Sequence, residues 1–203
     1  MGQRSQMYVR YESADGKYKN MVAQYFQWNY GTGMISRTRG LLEYLNSRIE
    51  YPFVFDYKAY DSRLIADYMN TDFNTWDIYP SWSIFDEYAK GGYDYSLNEL
   101  LFGIDNNDGR LLVDVKGTTI KYCFLDWSNN TDNIMNAEQY MAWDTGAADE
   151  GRTWEEHVEE YDGKQAVRTC HGNIKAINKL AKLMTKEEVE DFLNGDYTYI
   201  LNK

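Results

Sequence analysis

Cysteine, histidine and proline are almost missing from this chain, with two of each in 203 residues. Two thiols, Cys123 and Cys170, make neither a disulfide framework nor a CxxC metal site, and both are expected as small buried apolar residues. Two prolines exclude long proline-rich linkers. The histidines, His157 and His171, form no HExxH and no spaced ligand set. Cys170 and His171 are adjacent, so on a helix they diverge and chelate poorly. No metal and no cofactor is expected. GxSxG, Walker and GxGxxG signatures are also missing.

Clustered cations are lacking too. The net charge is −11 and the pI about 4.7, which argues against non-specific nucleic-acid binding, because phosphate contacts need grouped Lys and Arg. No apolar run is long enough to span a membrane. Residues Met1–Gln6 carry no apolar signal-peptide core. A cytoplasmic protein without membrane contact is therefore expected.

What the chain does have is acid in one place. Residues 126–162 hold eleven carboxylates and one base, Arg152. Residues 1–48 are net positive by contrast, and residues 163–203 slightly so. Such a block selects basic partners and speeds their approach. Tryptophans and tyrosines are interleaved with it, and aromatic content is high at 16 %. Aromatic side chains serve interfaces and cores alike. The expected contact surface is Asp149, Glu150, Trp154, Glu155, Glu156, Glu159, Glu160 and Asp162, with Trp143. The competing reading is a solvated face that partly pairs with the basic C-terminal helix.

Hydrophobic periodicity predicts the elements. Met7, Val9 and Tyr11 alternate, Asp15-Gly16 turns, and a second strand runs from about Tyr18 to Trp28. A helix follows over Met34–Ile49, with Gly31 and Gly33 ending the strand before it. Residues 51–60 read as extended. Ser62 and Ser81 each cap a short helix. Leu100–Asp105, Arg110–Lys116 and Thr118–Leu125 read as a three-strand meander, with Asn106–Gly109 as a turn rather than a calcium loop. Helices follow at Asn136–Trp143 and Thr153–Glu160. The last forty residues are helical, with a capping box at Thr185 and Glu188 and a stop at Gly195. The expected fold is α+β: one domain over residues 1–203, with an antiparallel sheet of about five strands covered by helices. The sheet combines the N-terminal hairpin with the central meander, and residues 126–162 form an acidic helical insertion.

The segments Gly2–Arg10, Tyr25–Gly31 and Met34–Arg37 resemble the opening of small uncharacterised proteins from phages and mobile elements of Gram-positive bacteria. The likeness covers about the first fifty residues and transfers no functional residue. It implies a setting in a bacterial host cell, where acidic proteins of this size often inhibit host defence, as anti-CRISPR proteins do.

Three functions are carried forward. The first is a non-enzymatic inhibitor that mimics nucleic acid and occludes a basic, nucleic-acid-handling host protein. The second is an enzyme or binder of an anionic nucleotide near Gly31, Gly33, Arg37 and Arg39, where a helix N-terminus could hold a phosphate. The third is a self-assembling module joined by its tyrosines.

Overall fold

The computed structural model describes residues 3–50, 65, 81–103 and 106–201. Strand β1 (Arg4–Glu12) turns back into β2 (Lys19–Gln27). Ser13 closes the turn, its hydroxyl donating to Asp15 at 2.7 Å. Helix α1 (Gly31–Glu50) follows, and β3 (Ser81–Ser83) runs straight into α2 (Ile84–Ala89). After α3 (Leu97–Gly103), the hairpin of β4 (Arg110–Lys116) and β5 (Thr119–Leu125) returns to the sheet. Helix α4 (Ala137–Asp144), a 3-10 turn (Ala147–Glu150), α5 (Trp154–Leu180), the short β6 (Lys182–Leu183) and α6 (Lys186–Leu193) complete the order.

The α+β class stands, but the sheet differs from the antiparallel five-strand expectation. Among the described residues it has six strands, in the order β3-β2-β1-β4-β5-β6. It is mixed, because β1 pairs with β4 in parallel and β5 with β6 in parallel. Of the expected central meander the second and third strands form a hairpin, but among the described residues the first is not there. Leu100–Leu101–Phe102, expected as its first strand, lies in α3, and β1 fills the place beside β4. A short apolar run fits a buried strand or a buried helix turn equally well, and the run alone cannot decide.

The reason for the mixed sheet is burial on both faces. Met7, Tyr8 and Val9 in β1 and Leu111, Leu112 and Val113 in β4 are all 0 % exposed. Strands covered on both sides read as continuous apolar runs. One core packs α1, α4 and α5 on the side of Met7, Val9, Leu111 and Val113. The other packs α2, α3 and α6 on the side of Tyr8, Leu112 and Cys123. Arg110 is buried between strand and loop, its guanidinium donating to Gln6 at 2.6 Å and to the Phe102 carbonyl at 2.8 Å.

Several local readings shift. Gly31 and Gly33 open α1 rather than end β2. Ser83, not Ser81, caps α2. The stretch 51–60 and the helix capped by Ser62 fall outside the described residues, apart from buried, helical Ile65. Asn136, Thr153 and Thr185 each form a full capping box with the Gln or Glu three residues on. Both cysteines are buried and free.

Helix α5 is a hairpin. Gly163 sits at φ 83, ψ 169, a conformation open essentially to glycine alone. Trp154 and His171 are seventeen residues apart, which is about 26 Å along a straight helix. Their rings lie 4.8 Å apart. The chain therefore folds back at Gly163, placing the acidic first half of α5 beside its basic second half. Among the described residues no helix is long and apolar enough to cross a membrane.

Candidate functional site

A cavity of about 450 Å³ opens where the N-terminal end of β1, the start of α1, the loop before β4 and the end of α4 converge. Residues from the start of β1, the end of β2 and the first turns of α1 meet here: Gln3, Trp28, Asn29, Tyr30, Gly31 and Arg37 all line it. Asp108, Asp144, His157 and Asp162 supply the opposite wall.

Backbone geometry builds the floor. Asp108 is held between strands, its amide donating to the Arg4 carbonyl at 2.9 Å while its carboxylate accepts from the Arg4 amide. Gly109 follows at φ 80, where an added Cβ would lie 2.5 Å from the Leu125 carbonyl and against the Trp143 ring. Only glycine fits there. Asp144 ends α4 and points at the start of α1. Its carboxylate accepts from the Gly31 amide and, at 3.0 Å, from the Tyr140 hydroxyl. The Tyr140 hydroxyl also lies 3.1 Å from the Asp108 carbonyl oxygen.

The two acids are thereby poised. Burial pushes the Asp108 carboxyl up to about 6, opposed by the Arg4 amide. Burial and then the Asp108 charge push Asp144 up to about 7, against the Tyr140 and Gly31 hydrogen bonds. Two neighbouring carboxylates in a poorly solvated site resist double ionisation. Around neutral pH the pair holds a proton that can leave or return.

The rim is aromatic and strained. Trp28 is held at φ 64, an unusual conformation for a bulky residue, and is 42 % exposed. Tyr30 is exposed to the same degree. Arg37 is the cation among the described lining residues; it donates to Asn29 at 3.0 Å and lies over the Phe26 ring. His157 leaves Nδ1 buried without a hydrogen-bond partner, and its ring packs 4.8 Å from Tyr161.

Of the four residues expected to hold an anion, Gly31, Gly33 and Arg37 reach the cavity. Arg39 turns away to Glu43 at 2.8 Å and Asn173 at 3.0 Å. The anion at the N-terminus of α1 is the chain's own Asp144.

The acidic block divides. Asp126 bonds Ser128 and Asn133, Asp132 pairs with Lys186, Glu138 accepts from the Trp154 indole, and Asp144 enters the cavity. The remaining seven, Asp149 to Asp162, lie on the 3-10 turn and the first half of α5. All of them except the half-buried Glu155 are exposed. Arg152 bridges Glu150 and Glu160, and Lys164 reaches Glu159 at 3.5 Å. Asp162 belongs both to this stripe and to the cavity wall. Trp154 is 4 % exposed and Trp143 is partly buried against the core, so neither stands out from the surface as the acids of the stripe do. The exposed aromatic of the stripe is Tyr161, at 69 %.

Sequence reasoning passed over Asp108, Tyr140, Asp144 and Trp28. Comparison with protein-family models, curated proteins and solved structures found no match for this chain.

Proposed function

We propose that the protein is a non-enzymatic binding protein for a basic partner. The stripe from Asp149 to Asp162 steers the partner in, and the adjoining cavity receives one of its cationic side chains. The observation that carries this reading is the continuity of charge from Asp108 and Asp144, through Asp162, onto the exposed face of α5. Three carboxylates face one cation, Arg37, among the described lining residues, and a cleft with such an excess of one sign focuses the field and raises the encounter rate. Trp28 and Tyr30 at the mouth suit a lysine or arginine head, which is attracted to an aromatic face. The resemblance of the first fifty residues gives the setting: a mobile-element protein that occludes a nucleic-acid-handling host protein.

The test is affinity for such a protein captured from a Gram-positive host. Reversing Glu155, Glu156, Glu159 and Glu160 to Lys is expected to weaken binding well over tenfold, and unchanged affinity removes the stripe from the mechanism. Trp28→Ala probes the cavity separately.

A free small cation is the second reading, favoured by a cavity volume within the usual range for small-ligand sites. Under it, amines or guanidinium compounds raise the melting temperature of the wild type and not of Asp144→Asn.

A further inference from the structure

The fold-back at Gly163 brings together three side chains that are remote from the cavity. Glu138 on α4, Glu155 in the first half of α5 and His171 in the second half each offer one ligand atom, and these atoms all lie within 4.8 Å of one another. His171 Nε2 is 3.5 Å from Glu155 Oε1. Ligands around a tetrahedral metal with bonds of about 2.0–2.2 Å sit about 3.4 Å apart, so this pair already has the spacing. The third must close by about an ångström, which a carboxylate reaches by side-chain rotation.

We propose that Glu138, Glu155 and His171 form a binding site for a divalent transition metal of the zinc, cobalt or nickel type. The donor set decides the class. An imidazole with two carboxylates suits these ions, whereas calcium and magnesium take oxygen donors alone. The site has an outer support as well: the Trp154 indole donates to Glu138 Oε1 at 2.8 Å, fixing that carboxylate and leaving its second oxygen for the metal. Cys170, next in sequence to His171, takes no part. It is buried, and burial pushes its thiol up to about 12. The His171 side chain is 49 % exposed and that of Glu155 34 %. Three protein ligands facing solvent leave a fourth position for water or a partner's side chain.

The test uses the full chain, free of any histidine tag and stripped with a chelator. Zinc titrated by calorimetry is expected to bind with one equivalent, unaffected by excess magnesium, and cobalt is expected to give a visible ligand-field band. His171→Ala and Glu155→Gln are each expected to weaken binding at least tenfold, while Glu187→Gln leaves it unchanged. A readout on the wild type guards against a variant that fails to fold. The chain has two histidines, and zinc should protect His171 but not His157 from acylation by diethylpyrocarbonate, read by mass spectrometry. Absence of saturable binding, binding untouched by His171→Ala, or equal protection of both histidines overturns the site.

Discussion

Asp144 serves structure and chemistry with the same two oxygens. It satisfies the first amide of α1 and the Tyr140 hydroxyl, yet it does so beside Asp108 in a site that disfavours its charge. The consequence for stability has a definite sign. A carboxyl whose folded value is raised stabilises the fold at acid pH and loses that contribution as pH rises through the folded value. Stability is therefore expected to fall from about pH 4 to pH 7, and Asp144→Asn should flatten that slope. At pH 7 the variant should gain on the order of 2 kcal/mol over the wild type, because the amide removes the charge, its oxygen accepting from the Gly31 amide and its nitrogen donating to the Tyr140 hydroxyl oxygen. Urea denaturation at both pH values measures it, and parallel curves for the two proteins reject it. Gly109 shows the opposite sensitivity. Alanine there meets a backbone oxygen and a left-handed conformation together, so Gly109→Ala should cost about 3 kcal/mol or more and shift the urea midpoint accordingly.

Helices α1, α4 and α5 carry the functional geometry, and their legibility in the sequence differs. The capping boxes at Thr153 and Thr185 and the apolar stripe of α1 were readable, because caps and stripes are local patterns, whereas the box at Asn136 emerged only in the structure. The start of α1 was not placed correctly. Gly31 and Gly33 look like strand breakers, and only the Asp144 carboxylate arriving from α4 makes Gly31 a helix start. In α5, the helix start with Thr153 and Glu156 as a capping box is legible from their three-residue spacing, but the fold-back was hidden in an ordinary-looking Asp162-Gly163-Lys164. An added Cβ at Gly163 would meet nothing within 4 Å, so the constraint there is conformational. Gly163→Ala is expected to cost about 2 kcal/mol through backbone strain alone. It should also separate Trp154 from His171, changing the tryptophan emission. Unchanged stability would mean the hairpin does not depend on this glycine.

Across the whole molecule, charge is sorted by the same fold-back. The first half of α5 presents carboxylates to solvent, and the second half carries Lys164, Arg168, Lys175 and Lys179. The C-terminal helix α6 spends its acids on the sheet instead: Glu188 pairs with Lys121, and Asp191 with Arg10 at 2.9 Å. Among the described residues the stripe meets the C-terminal lysines at one ion pair, Glu159 with Lys164. Association with a basic partner should slow by an order of magnitude or more between 50 and 300 mM salt, with dissociation changing less. Stopped-flow kinetics distinguishes this from a salt-independent, apolar contact.

The sequence by itself determined the α+β class, the N-terminal hairpin, the capped helices and the place where negative charge accumulates. Each of these is written in residues close together along the chain, through alternation, capping or composition. The tertiary structure alone decided the parallel pairing of β1 with β4, the burial of Trp154 and the packing of Trp143 against the core, and the meeting of Asp108 with Asp144. Those depend on contacts between residues far apart in the chain, set by which faces of the strands are covered. Periodicity cannot report that where both faces are apolar, as in Met7–Val9 and Leu111–Val113.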